Sequence, residues 1–418
     1  VNIVFIHQNA PGQWRHVARH LAASGLHRVI LIGKHRRAEI PGAEFRVYTV
    51  DAKHERGDSA PSAEAYANFV AHGLAVARVL QQLKQEGFIP DVIAAHPAWG
   101  ESMFAKDVFP HVPLLHHCEY FYRTHGADHG FLEPASLESS MAIRARNTGL
   151  HVALAAMDWG VSPTFWQKSL YPAEAQARIS VVHEGIDTDM FKPDSQACFT
   201  LPNGIVLTPE DEVVTYVARN LDTYRGTPTA LRAAARLQGL RASARVLIIG
   251  GDGKGYGSLP DDGRSWKETL LEEIDLDPLR THFLGRLGYD DYLRALQVSS
   301  AHMYLTIPFV LSWSMTEAMS TGCLVIGSDT APVCELIRHG ENGLLTDFFD
   351  ANALADTLAD ALKNREALRP LRAAARATIV SAYDQRQCVP TLCRLLEDLA
   401  TGALPPRDTE TISLASTS

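Results

Sequence analysis

The chain has 418 residues, 46% of them apolar and 21% charged, with a formal net charge of −9. That length suits two domains of ordinary size, and the apolar fraction suits globular cores. The acidic balance argues against a general nucleic-acid binder, no run nears the ~20 apolar residues of a membrane span, and six scattered cysteines without a CxxC suggest neither a zinc site nor a disulfide framework.

The chain opens on an apolar stretch, Asn2 to Ile6, that reads as a buried strand and not as a signal peptide. A cytoplasmic protein, at most peripheral to the inner face of the cytoplasmic membrane, is the expectation. After His7 comes Gln8-Asn9-Ala10-Pro11-Gly12-Gln13, then Trp14, Val17, Ala18 and Leu21 at helical spacing. This is a βα turn in which Gly12 can bring backbone close to a ligand. It is not a dinucleotide fingerprint, because G-x-G-x-x-G is absent. A second strand covers Arg28 to Ile32. The basic run Lys34-His35-Arg36-Arg37 reads as a solvated loop. A long helix over Ala63 to Lys84 and a strand over Pro90 to Ala95 follow.

That strand runs into His96-Pro97-Ala98-Trp99-Gly100-Glu101. Polar and aromatic groups after a strand's carboxyl end suit an acceptor pocket, with His96, Trp99 and Glu101 as its candidates. An ordinary turn capped through Glu101 fits the same residues. The next strand, Val112 to Leu115, leads into His116-His117-Cys118-Glu119. Neighbouring side chains on a strand point to opposite faces, so only one of the two histidines can face a site. Residues 124–135, rich in Gly, Asp and His, read as a mobile loop. A helix over Ser136 to Leu154 and a strand at Trp159 follow. Asp187-Thr188-Asp189 is formally a D-x-D but reads as a turn in a linker.

In the second half, strands cover Val213 to Ala218, Arg245 to Ile249 and His282 to Leu287. The first is followed by Arg219 and by Arg225-Gly226, the second by the glycine-rich stretch Gly250 to Gly257. That stretch lacks G-x-x-x-x-G-K-[ST], so it reads as a flexible loop and not as a phosphate loop. A buried strand at Ala301 to Leu305 precedes the segment 307–323. Within it Ser314 and Glu317 have the S-x-x-E spacing of a capping box, and Gly322 sits where a short helix stops. A helix start just beyond a strand's carboxyl end makes an anion site.

The segment 307–323, with its Glu317-Ala318-Met319-Ser320-Thr321-Gly322, resembles the donor-binding motif of retaining glycosyltransferases of family 4. The resemblance extends over nearly the whole chain. It implies the GT-B fold, an α/β architecture of two Rossmann-like domains with parallel sheets facing a central cleft, and a last helix crossing back to the first domain. The expected divisions are 1–195 for the acceptor domain, 196–382 for the donor domain, 383–400 for the returning helix and 401–418 for a disordered tail.

The resemblance also implies roles. Glu317 would hold the ribose of a UDP- or GDP-type sugar, while Arg219 and Arg225 would hold its diphosphate and assist catalysis. Backbone at Arg286 and Leu287 would meet the base, and Ser312, Trp313, Ser314 and Gly12 complete the donor set. The family's first motif glutamate falls at Phe309, so its sugar contact has no counterpart. A histidine is usual after the 112–115 strand; here its role falls to Glu119 or His117 as catalytic candidates. The implied reaction moves a sugar to a carbohydrate or lipid-linked hydroxyl, in the setting of bacterial polysaccharide or glycolipid assembly, with no metal or other cofactor. An epimerase of the same fold and a non-catalytic nucleotide-sugar binder are the alternatives.

Overall fold

The computed structural model describes residues 1–50 and 61–403. By contacts the chain forms two units, Val1–Gly185 with the residues from Gln385 onward, and Ile186–Asp384. The Ile186 N–H donates to the Tyr383 carbonyl at 2.7 Å, and Ile186 bridges Asp384. The two passages of chain therefore change unit side by side, at 185 and 384 and not at 195 and 382.

The first unit carries β1 (Asn2–Ile6), β2 (Arg28–Gly33), β3 (Glu44–Val47), β4 (Val92–Ala95), β5 (Leu114–His117), β6 (Trp159–Ser162) and β7 (Ile179–Val181). All pair in parallel, in the order β3-β2-β1-β4-β5-β6-β7. Its helices up to residue 185 are α1 (Arg15–Ala23), α2 (Pro61–Gln85), α3 (Ala105–Val108), α4 (Leu137–Ala156), α5 (Phe165–Ser169) and α6 (Ala173–Gln176). Parallel strands covered on both faces read as continuous apolar runs. Along β1, Ile3 and Phe5 join one core with α1, while Val4 and Ile6 join the other with α2.

The second unit has a short antiparallel ribbon, β8 (Phe199–Thr200) with β9 (Val206–Leu207). Its sheet comprises β10 (Val213–Asn220), β11 (Arg245–Gly251), β12 (Thr281–Gly285), β13 (Ala301–Tyr304), β14 (Leu324–Ser328) and β15 (Leu344–Thr346). The order is β12-β11-β10-β13-β14-β15, again parallel. The helices are α7 (Thr227–Leu240), α8 (Trp266–Glu273), α9 (Tyr289–Gln297), α10 (Trp313–Ser320), α11 (Ala331–Cys334), α12 (Ala351–Lys363) and α13 (Arg369–Ala382).

The last helix, α14 (Gln385–Thr401), belongs to the first unit. Its stripe of Val389, Leu392, Leu396 and Leu399 is buried in the same core as Trp14, Val17 and Leu21 of the α1 region. Most of the expected tail, 404–418, lies outside the described residues. Among the described residues no helix is long and apolar enough to cross a membrane.

Each sheet reverses its strand order once, between β1 and β4 and between β10 and β13. Loops leaving the carboxyl ends of two such strands diverge to opposite faces and leave a crevice, where ligands of doubly wound sheets bind.

Candidate active site

At the switch point of the second unit, the loops after β10 and β13 meet over Arg225. Asp222 caps the short turn Thr223–Arg225 by accepting from the Arg225 N–H at 3.0 Å. Gly226 follows at φ 66°, where a Cβ would lie 2.7 Å from that of Leu305, so only glycine fits there. The buried Arg225 guanidinium donates to Tyr304 Oη at 3.2 Å, Thr306 Oγ1 at 2.9 Å and the Val310 carbonyl at 2.8 Å. Three of its five N–H groups are therefore committed to the end of β13 and the loop ahead of α10. Tyr256 and Phe309 place their ring centroids 5.6 and 6.0 Å from the guanidinium carbon.

The glycine-rich stretch is latched and not open. Asp222 Oδ2 accepts from the Tyr256 N–H at 2.7 Å, and Asn220 Nδ2 donates to the Lys254 carbonyl at 2.7 Å. Phe309, at the position of the missing glutamate, packs against Tyr256 and Tyr224 with centroids 5.0 and 5.3 Å apart.

Three placements differ from the sequence reading. Ser312, not Ser314, is the N-cap of α10, because the helix starts at Trp313. Glu317 then lies beyond capping reach and instead accepts from Tyr289 Oη at 2.5 Å and Tyr292 Oη at 2.7 Å. Within the donor-set run Ser312 to Ser314, the Ser312 amide donates to Tyr304 Oη at 2.7 Å and the Ser314 amide to Ser312 Oγ at 3.3 Å. Arg219 is exposed near the end of β10, while the next residue, Asn220, turns inward. Asn220 Oδ1 accepts from Arg286 at 2.6 Å, so the Arg286 side chain, and not its backbone alone, is brought to the β10–β11–β12 edge. Leu287 follows it, half-buried.

At the switch point of the first unit, aromatic and titratable groups converge. Gly12 opens the 3-10 turn Gly12–Trp14 at φ 55°, where a Cβ would stand 2.4 Å from His7 Nε2. His7 accepts from the Asn9 N–H at 2.9 Å, and burial, together with the charge of His96, lowers its pKa to about 3. Trp99 stacks on His96 with centroids 4.7 Å apart, and the rings of His96 and His117 stack at 5.4 Å. Glu119 receives Gln13 Nε2 at 2.6 Å, and its other oxygen lies 3.2 Å from His96 Nε2. Burial alone would raise the Glu119 pKa, but His96, His117 and Gln13 outweigh it and hold the carboxylate at about 2. The His117 Nε2 lies 2.8 Å from Glu184, which is also held near 2 because its histidine neighbours outweigh the effect of burial.

His116 is sealed into the interior, where burial drops its pKa to about 3, so His117 alone of the pair reaches this cluster. Glu101 leaves the acceptor set. It is fully buried, accepts from Tyr48 Oη at 2.7 Å, and burial raises its pKa to about 7. The loop 124–135 is tied down, with Tyr120 Oη donating to Asp128 at 2.8 Å and His129 Nε2 standing 2.8 Å from Ser139 Oγ. In the linker Asp187 accepts from the Met190 N–H at 3.0 Å, as a turn residue does.

Sequence reasoning missed His7, Gln13, Glu184, Asn220 and the Tyr289–Tyr292 pair. His7 carries a signal, being a polar residue that ends an apolar strand. Glu184 has none, because its partner His117 is distant in sequence.

Two parallel α/β units, each with one reversal of strand order, define a doubly wound two-domain architecture, and solved structures identify it as the GT-B fold. HepE from Anabaena, crystallised with UDP-glucose, matches with a TM-score of 0.68 at 16% identity over 95% of this chain and 99% of that one. Sucrose-phosphate synthase from Thermosynechococcus elongatus matches with a TM-score of 0.71 at 17% identity over 96% of this chain and 100% of that one.

The chain belongs to the family 4, group 1 glycosyltransferases. The family described as "Glycosyl transferase family 4 group" matches residues 25–191, and "Glycosyl transferases group 1" matches 203–378. A D-inositol 3-phosphate glycosyltransferase from Mycobacterium sp. (strain JLS) is 29% identical over 206 residues, 49% of this chain and 44% of the relative. The matched region thus spans less than half the length of that curated relative.

Proposed function

We propose that this chain moves a sugar, with retention of configuration, from a nucleoside diphosphate donor to a hydroxyl acceptor. The observation that carries the reading is the second unit's switch point. There a buried arginine, an oriented Arg286 and the start of α10 share one sheet edge with the Glu317 carboxylate. A departing diphosphate gains negative charge in the transition state, and donors fixed in advance stabilise it without reorganising. Arg225 keeps N–H groups beyond the three it has committed, Arg286 adds a fork, and Arg219 adds an exposed charge. Glu317, with two tyrosine hydroxyls on its oxygens, is the group for the ribose hydroxyls. These cations supply the charge that a metal would otherwise bring to the diphosphate.

The acceptor is assigned to the first unit's switch point, where His96, Trp99, His117 and Glu119 converge. The flat face of Trp99 suits a sugar or polyol ring, and the ionised Glu119 suits its hydroxyls. The UDP-glucose held by the structural neighbour and the polyol acceptor named for the curated relative favour a UDP-sugar donor and a polyol or sugar acceptor.

The test is a thermal-shift panel of nucleotides and nucleotide sugars, followed by product analysis. The donor nucleotide should raise the melting temperature, with the gain sharply reduced in Glu317→Gln. A bound ligand at 100 times its Kd adds about 2.7 kcal/mol. Transfer should need an acceptor. Conversion of the donor alone to an epimer, or no response to any nucleotide, overturns the proposal.

A further inference from the structure

The first unit's histidine cluster has the make-up of a metal centre. One ligand atom from each of His96, His117 and Glu119 lies within 4.8 Å of the other two. The two nitrogens of His117 differ sharply. Nε2 faces the Glu184 carboxylate at 2.8 Å, while Nδ1 is buried and has no hydrogen-bond partner among the described residues. A proton on Nε2, held by Glu184, leaves a lone pair on Nδ1. This is the tautomer a metal-binding imidazole needs, and a carboxylate behind the ring is what fixes it. Glu119 is ionised and steadied by Gln13 at 2.6 Å. His96 places Nε2 beside that carboxylate at 3.2 Å, and its Nδ1 accepts only a long bond of 3.4 Å from the Ala98 N–H.

We propose that His96, His117 and Glu119 form a binding site for a divalent ion of the zinc class, with Glu184 as the group that orients His117. Two imidazoles and one carboxylate are a known donor set for Zn²⁺ that keeps a position open. Bonds of about 2.0–2.2 Å put tetrahedral ligand atoms roughly 3.4 Å apart, so closing the set requires movement on the order of 1 Å. His96 would move its proton from Nε2 to Nδ1 and give up the long Ala98 contact. The open position would then offer a Lewis-acid site for an oxygen ligand. The test reads metal binding and does not depend on turnover.

Tag-free protein, stripped with a chelator, is titrated with Co²⁺ and followed by visible absorption. Zn²⁺ is then titrated in competition with a chromophoric chelator. One equivalent of each ion should bind. Glu119→Gln and His96→Gln should each weaken Zn²⁺ at least a hundredfold. Glu184→Gln, which touches no ion, should weaken it tenfold to a hundredfold, the range expected for an outer partner. Glu317→Gln, in the other unit, should change nothing. Melting curves of the stripped variants confirm that each is folded. Absence of stoichiometric binding, or binding indifferent to Glu119→Gln and Glu184→Gln, overturns the site and leaves the transfer proposal untouched.

Discussion

Replacing Arg225 tests stability and ligand binding in one variant. Its guanidinium makes three hydrogen bonds, to Tyr304, Thr306 and Val310, and it is 6% exposed. A hydrogen bond from a charged donor contributes about 1.5–3 kcal/mol net, and bonds sharing one group do not add fully. Arg225→Ala also leaves the buried Asp222 without its cationic neighbour. A loss of about 3–5 kcal/mol in the stability of the second unit is expected. Arg225→Lys keeps the charge, but a single ammonium cannot span three acceptors in a fork, so about half that loss is expected. Urea unfolding gives the stability, and calorimetric titration with UDP and GDP gives the affinity, which should fall at least tenfold in Arg225→Ala. If Arg225→Ala unfolds within about 0.5 kcal/mol of the parent, the fork is not holding the 304–312 loop and the reasoning fails.

Acid should weaken the protein in a defined window. His116 and His302 are sealed, and burial lowers both from 6.5 to about 3, so only the unfolded chain takes up their protons as pH falls below 6.5. At pH 5 each costs up to about 2 kcal/mol. Glu119 and Glu184, lowered from 4.5 to about 2, keep their contribution above about 4.5 and lose it progressively as pH falls from there through 2, so they hardly contribute to this window. Urea midpoints at pH 7.5 and 5.0 should show the loss, and His116→Leu should remove its share of the slope; an unchanged slope would contradict the burial argument. Gly12→Ala combines a positive φ with a Cβ 2.4 Å from the His7 ring. A cost of about 1–3 kcal/mol in denaturant is expected, and wild-type stability would mean the turn relaxes.

The two sheets were legible because buried parallel strands leave apolar runs that need no partner to be recognised. The edge strands β3 and β15 were not. Glu44, Phe45 and Arg46 are only half-buried, so the pattern there mixes polar and apolar residues. The second unit's site was legible where local spacing decides it: α10, its stop at Gly322, and Arg225-Gly226. Side-chain direction is what spacing leaves open. Along β10 successive residues face opposite ways, so Arg219 is exposed while Asn220 turns in. The S-x-x-E spacing at Glu317 suggests a cap, and it carries no trace of the tyrosine partners that come from α9. Glu101 was placed at the acceptor edge because its loop is there, although its carboxylate goes to Tyr48 instead.

The position of α14 has a consequence for synthesis. The core around β1 is completed by Leu392, Leu396 and Leu399, the far end of the described chain. Residues 186–384 form an uninterrupted unit and can close as soon as they leave the ribosome. Strand β1, made before that unit, must wait, with one apolar face unsealed, for a helix translated some two hundred residues after residue 185. A nascent chain stalled before 385 should therefore carry a finished rear unit and an unfinished front one, the form most in need of a chaperone.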